Sequence, residues 1–217
     1  MNKYPANWEI VPLENVAEII GGGTPSRANS DFWGDDHFWI TPSEVVALDG
    51  GFIYRSKEKI SDLGLKNSSA KLLPPGTILM TSRASIGYAA ITKTSVSTNQ
   101  GFQSIICGEN LDHLFALHQI RYRKLELERL AAGSTFSEIS SKNVRSFAFV
   151  VPPLSEQKKI AEILSQVDKL IESVKDQIKK LEILKMAILN NFLNYNFEKN
   201  LDNTKSLNKI TLKEFCE

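Results

Sequence analysis

The sequence predicts an α+β fold, a globular mixed α/β domain followed by a long coiled-coil helix. Three observations carry this. From Leu72 to Cys107 short β-rich runs alternate with turn signals, and from Leu111 to Ala132 apolar residues recur at helical spacing. From Pro152 to about Asn196 the chain runs without Gly on a heptad of apolar residues, Pro152 and Pro153 standing only at its start. With 217 residues and 42% hydrophobic content, one sizeable core plus an appendage is affordable. The expected division is 1–151 globular, 152–196 helix, and 197–217 polar linker.

Trp8 to Val11 is a short apolar segment, and Pro12 to Ile20 reads as a helix with Leu13, Val16, Ala17 and Ile20 on one side. Gly21, Gly22 and Gly23 end it. No Gly-Lys-Ser/Thr follows, so the glycines read as a helix stop and turn rather than a phosphate cradle. Asp31 to Ile40 holds Phe32, Trp33, His37, Phe38 and Trp39, a density that base stacking or core packing explains, with core packing the simpler. Asp31, Asp35 and Asp36 lack partner ligands in this Gly-containing turn and read as solvated carboxylates. Thr41-Pro42-Ser43-Glu44 is a turn leading to a short helix.

Leu72 to Gly76 is a turn of the Pro-Pro-Gly kind, followed by a strand Thr77 to Thr81 and the polar loop Ser82-Arg83-Ala84-Ser85. Gly87 to Thr92 is a second strand. A third, Gly101 to Cys107, follows Ser97-Thr98-Asn99-Gln100. Two polar loops thus flank one set of strands. Arg83 has the fork to take guanine, and Asn99 or Gln100 the amide to pair with adenine, while the amides serve equally to satisfy turn backbone.

Leu111 to Ala132 reads as one helix with Leu114, Leu117, Ile120, Leu125 and Leu130 buried and Gly133 as its cap. Arg121, Arg123, Lys124 and Arg129 suit the negative end of a helix dipole, with phosphate contact a secondary reading. Ser137 to Arg145 is a short helix, and Phe147 to Val151 a strand delivering the chain to the long helix.

In that helix Ser155 is the expected N-cap. Ile160, Leu164, Val167, Ile171, Val174, Ile178, Leu181, Ile188 and Phe192 form a seam that only Lys185 breaks. Roughly 40 residues make a helix of about 60 Å, which cannot bury its stripe against itself. A second copy is the simplest supply of a partner, and the seam residues are therefore the expected dimerisation contacts. The other face carries both signs, including Lys158, Glu162, Lys169 and Glu172, as a solvated exterior does.

A formal net charge of +1 neither demands nor excludes nucleic acid. Cys107 and Cys216 are too few for a disulfide framework or a zinc site, which points to a reducing compartment. Met1 to Trp8 is polar, and no run reaches the ~18 apolar residues of a membrane span. A cytoplasmic protein with no membrane contact is expected. No Ser/His/Asp pairing, His-x-x-x-His or Cys-x-x-Cys can be assembled, and His113 and His118 fall on different helix faces. The expectation is recognition without catalysis and without a cofactor.

The order of motifs then resembles a known family. Trp8…Leu13, Gly23-Thr24-Pro25-Ser26, Trp39-Ile40-Thr41-Pro42, Leu73-Pro74-Pro75-Gly76-Thr77-Ile78-Leu79, Ser82-Arg83-Ala84, Thr98-Asn99-Gln100-Gly101-Phe102, Gly133-Ser134-Thr135-Phe136 and Pro152-Pro153-Leu154-Ser155-Glu156-Gln157 resemble the specificity subunit of type I restriction-modification systems. The resemblance covers about residues 8 to 195. It implies a target-recognition domain at about 1–151 and a spacer helix after it. Members usually hold two such units in tandem, with antiparallel helices spacing two domains over a bipartite site on double-stranded DNA. They catalyse nothing themselves; they place methyltransferase (M) subunits, which use S-adenosylmethionine, and through them ATP-dependent restriction (R) subunits.

This chain departs by holding one unit. Its tail, Lys209 to Glu217, can be laid over Ile10 to Glu18 and looks like the first line of another repeat, in a half-length subunit or a first half. Two copies paired through the seam would then read inverted half-sites, with the helices as a ruler of nearly two ~34 Å turns of DNA. Arg83, Asn99 and Gln100 are the candidates for loops facing DNA, with Arg27, Lys57 and Lys142 as phosphate candidates. The competing class is a coiled-coil adaptor whose globular part binds protein.

Overall fold

The computed structural model describes residues 4–48, 50–131 and 138–204, with side chains through Leu193. The expected cap Gly133, its Gly-Ser-Thr-Phe motif and the tail alignment at 209–217 lie outside the described residues. In order the chain forms β1 (Glu9–Pro12), β2 (Ala17–Gly21), β3 (Trp33–Ile40), α1 (Pro42–Leu48), β4 (Phe52–Ile53), β5 (Glu58–Ile60), α2 (Asp62–Lys66) and β6 (Ile78–Thr81). Then come β7 (Ala89–Thr92), β8 (Val96–Thr98), β9 (Phe102–Cys107), α3 (His113–Tyr122), α4 (Lys124–Ala131), α5 (Ser141–Arg145), β10 (Ala148–Val151) and α6 (Leu154–Thr204). Two compact units divide it, Met1–Ser165 and Gln166–Glu217. The expected α+β class with a long final helix is the one observed.

The first unit is built on a five-stranded sheet in the order β2-β9-β6-β7-β4. Its central strand β6 is buried throughout, so period-2 alternation sends side chains into two different cores rather than into core and solvent. Ile78 and Met80 join Ile19, Ile105, Phe115, Ile120 and Phe149 in the larger core, which α3, α4 and α5 cover. Leu79 joins Ile40, Val45, Val96 and Phe102 in the second. A three-stranded sheet, β5-β3-β8, lies beyond that second core and encloses a third cluster around Trp39 and Ile60. The aromatics of β3 thus serve mainly as core, with Trp39 edge-on to Trp33 at 5.1 Å between ring centroids.

Pro12–Ile20 is not a helix. Pro12 ends β1, Leu13–Asn15 makes a single 3-10 turn, and Ala17–Gly21 pairs antiparallel with Gln103–Cys107. Leu13, Val16, Ala17 and Ile20 match helical spacing, but Ala17 and Ile19 match strand alternation as well, and an edge of the large sheet was available. Nor is Leu111–Ala132 one helix. It breaks at Arg123, whose guanidinium donates to the Ala148 carbonyl and to Glu126 and lies 4.1 Å over the Phe147 ring. The break rephases α4 relative to α3: Leu127 and Ala131 are buried, whereas Leu125 and Leu130 are exposed.

α6 begins at Leu154, one residue before the expected cap Ser155; the Pro153 carbonyl accepts from the N–H groups of Glu156 and Gln157 at 2.8 and 3.0 Å. Those two side chains explain the Pro-Pro-Leu-Ser-Glu-Gln motif. Fully buried Gln157 donates to the carbonyls of Asn110 and Pro152 and accepts from Asp112 N–H, each at 2.8–2.9 Å. Glu156 accepts from Asn7 and from the Trp8 indole. Ala161 is buried in the larger core and Ile160 packs on it, so this first seam position is occupied by the body.

In the second unit the remaining seam is exposed, from 45% at Val167 to 64% at Phe192. Leu170 and Leu184 are exposed there too, which widens the stripe beyond the residues expected from sequence. No helix of the described residues is long and apolar enough to cross a membrane.

Candidate nucleic-acid interface

Four segments far apart in sequence are bound to one another on the first unit. β6 and β9 run antiparallel, so the loop leaving β6 lies beside the loop entering β9: Ser82 N–H donates to the Gly101 carbonyl at 2.8 Å. Within the first loop Ala84 sits in the left-handed region at φ 55°, a strained setting for a residue with a Cβ. Within the second, the Asn99 carboxamide oxygen accepts from Gly101 N–H at 2.9 Å, closing its own turn. The start of α1 faces both loops. Pro42, Ser43, Val46 and Ala47 with Arg83–Ser85 and Asn99–Gly101 enclose an open cleft of about 560 Å³.

The segment from Gly22 to Arg27 comes next. A Cβ on Gly22 would meet the Asn99 carbonyl at 1.9 Å and one on Gly23 the Ala70 nitrogen at 2.3 Å. The glycines are there for close approach, not as a helix stop. Gly23 N–H donates to the Thr98 carbonyl at 2.8 Å, and the Thr24 hydroxyl donates to the Gln100 side-chain oxygen. Arg27 then forks onto Glu58 at 2.7 and 2.8 Å and stacks 3.6 Å over the Trp33 ring. The Glu58 hydrogen bond raises the Arg27 pKa above its ordinary value, and the Arg27 hydrogen bond lowers that of Glu58.

Tyr54 to Lys57 is the fourth segment. Lys57 N–H donates to Glu44 Oε1 at 2.8 Å, while Glu44 Oε2 accepts from both the N–H and the hydroxyl of Thr41. Glu44 therefore ties this segment to the start of α1, and so to the cleft.

Among the residues expected to meet DNA, the structure brings Arg83, Asn99 and Gln100 together on the cleft. It also occupies them. Arg83 Nε donates to Glu138 at 2.9 Å, Asn99 closes its turn, and Gln100 holds Thr24. Arg27 and Lys57 lie on the neighbouring segments. Lys142 is exposed on α5 and does not line the cleft. Sequence reasoning missed Thr24, Glu44 and Glu138, whose roles come from partners 13 to 76 residues away. It also passed over Tyr54 and Arg55, although Tyr-Arg-Ser-Lys between short strands is a cationic, aromatic run without a carboxylate.

Among the described residues no group of three His, Cys, Asp or Glu stands where it could hold a metal ion. Burial, and then the nearby Asp112 charge, push the Cys107 thiol up to about 12, far from a reactive thiolate.

A loop-bearing α+β body whose last strand leads into a long helix is the class this architecture defines. The chain belongs to the type I restriction modification DNA specificity domain family, whose sequence profile matches residues 5–183. It is 35% identical over 194 residues to the type I restriction enzyme MjaIX specificity subunit of Methanocaldococcus jannaschii, covering 88% of this chain and 45% of that protein. To the EcoR124I/EcoR124II specificity subunit of Escherichia coli it is 31% identical, covering 75% of this chain and 41% of that one. Its fold is similar to the crystal structure of the HsdS subunit from Thermoanaerobacter tengcongensis, with a TM-score of 0.61 at 22% identity over 80% of this chain and 40% of that chain. The chain thus spans less than half the length of the curated relatives it matches.

Proposed function

We propose that the body, residues 1–151, is a target-recognition domain that binds duplex DNA through the clustered loops, and that 152–196 is a spacer helix, with 197–217 a polar linker that holds the start of a second repeat. The observation that carries this is one cleft lined by the start of α1 and by the Arg83 and Asn99 loops, with the segments at 22–27 and 54–57 hydrogen-bonded to its walls, in a family described by its DNA specificity domain. Arg83, Asn99 and Gln100 face base edges, and Arg27, Lys57 and Lys142 contact phosphates. The protein catalyses nothing and needs no cofactor; in the cytoplasm it positions methyltransferase and, through them, restriction subunits. Binding to duplex DNA across a salt series, with and without a methyltransferase subunit from the same source, tests the reading. Replacing Arg83 by Ala should relax one position of the target, and replacing Lys142 by Ala should weaken all sequences alike. If Arg83→Ala changes neither affinity nor target, that assignment is wrong.

We further propose that two copies pair through Leu164, Val167, Ile171, Val174, Ile178, Leu181, Ile188 and Phe192. The support is an apolar stripe with no helix of like length among the described residues. Sedimentation at micromolar concentration should give a dimer mass; a monomer overturns the pairing.

A further inference from the structure

Resting on the reading that the body binds duplex DNA, we infer that Tyr54 and Arg55 are a further recognition element, with Arg55 reading a base edge and Tyr54 packing on the backbone sugars beside it. Compare the cations of the cluster. Arg83 is held by Glu138 and Arg27 by Glu58, so each must give up a carboxylate before it can take a base or a phosphate. Arg55 is exposed, and among the described residues no hydrogen bond or ion pair engages its side chain. Of these three arginines it is the one ready to fork without first breaking a bond, on a segment tied to the cleft through Lys57 N–H and Glu44.

The segment is rigid where rigidity helps. The Tyr54 carbonyl accepts from the Thr94 hydroxyl at 3.0 Å, Ser56 Oγ accepts from Trp39 N–H at 3.0 Å, and Lys57 N–H is held by Glu44. The backbone is pinned on both sides of Arg55, while Tyr54 leaves 59% of its surface exposed and its hydroxyl makes no bond among the described residues. An aromatic ring turned outward beside two unpaired cations suits a sugar-phosphate surface flanking a groove, and a guanidinium on a fixed backbone suits the two acceptors of guanine. An acidic protein surface would satisfy the charges, but gives the ring and the fixed fork no use.

The test is selection from a pool of randomised DNA duplexes with the full chain, followed by sequencing of the retained duplexes and affinity measurement across salt. The wild type should enrich a defined sequence. Arg55→Ala should lose about 10-fold discrimination at one position and keep the others, and Arg55→Lys should not restore it. Tyr54→Ala should weaken binding several-fold while Tyr54→Phe stays near wild type, and Thr94→Val, which frees the Tyr54 carbonyl, should fall between them. On the wild-type protein, bound DNA should protect Tyr54 from nitration. If the wild type enriches a sequence but the Tyr54 and Arg55 variants keep both motif and affinity, or Tyr54 nitrates equally with DNA bound, this inference fails and the DNA reading survives. If the wild type retains no duplex, the DNA reading falls and takes this inference with it.

Discussion

The loop cluster and the helical seam are both exposed, and they are built in opposite ways. In the cluster the backbone is fixed by hydrogen bonds from distant segments, and the outward side chains are polar and singular. In the seam the backbone needs only its own helix, and the outward side chains are apolar and repeated. A fixed frame carrying varied side chains suits discrimination between chemically different partners. A repeated stripe suits a partner bearing the same repeat.

The largest effect should come from the seam. On the proposed pairing, Val174→Asp with Ile178→Asp would bury unpaired charge at the interface, and should cost the dimer upwards of ~3 kcal/mol while leaving the thermal midpoint of the body unchanged. Sedimentation velocity and calorimetry on one preparation check both halves; a surviving dimer would move the contact elsewhere. Next comes the body under the loops. Phe102→Ala empties a fully buried site in the core beneath α1 and should cost about 3–5 kcal/mol in denaturant unfolding.

Gly22→Ala should cost about 1–3 kcal/mol, because its Cβ would meet the Asn99 carbonyl, whereas Gly21→Ala, with nothing within 4 Å, should change stability little. Equal effects at the two glycines would show that the loops yield rather than hold. Gln157→Leu should cost about 1–3 kcal/mol by stranding the Asp112 N–H and two carbonyls. The smallest effect is at the surface: Glu58→Gln should cost less than ~1 kcal/mol. Because Arg27 lowers the Glu58 pKa, this contribution is present above the ordinary glutamate range and disappears as pH falls through the folded value. Wild type and variant should therefore converge in stability at acid pH; a constant gap would mean the pair acts through shape rather than charge.

The sequence displayed those features whose cause is local. The strands at 78–81, 89–92 and 102–107 stood between turn signals, and the long helix between a Pro-Pro stop and a heptad. The segment at 12–20 was illegible because its residues fit both periods, and only the edge offered by Phe102–Cys107 decides between them. The break at Arg123 was illegible for a similar reason, since it depends on the Ala148 carbonyl and the Phe147 ring. Arg83, Asn99 and Gln100 were found as loop residues, but what occupies them was not, because Glu138 and Thr24 meet them only in space. Gly22 and Gly23 show the same limit: a turn and a close approach use one residue type.

β1 pairs with β10, joining Glu9 to Val151 and Pro12 to Ala148. During synthesis the N-terminal strand must wait for nearly the whole body to be made before it finds its place, a non-local closure of the slow kind. Residue 151 emerges before the exposed stretch of α6 does. On the proposed pairing, every strand of the body is therefore available to close its own domain before the adhesive stretch of the helix is exposed to a sibling on the same messenger.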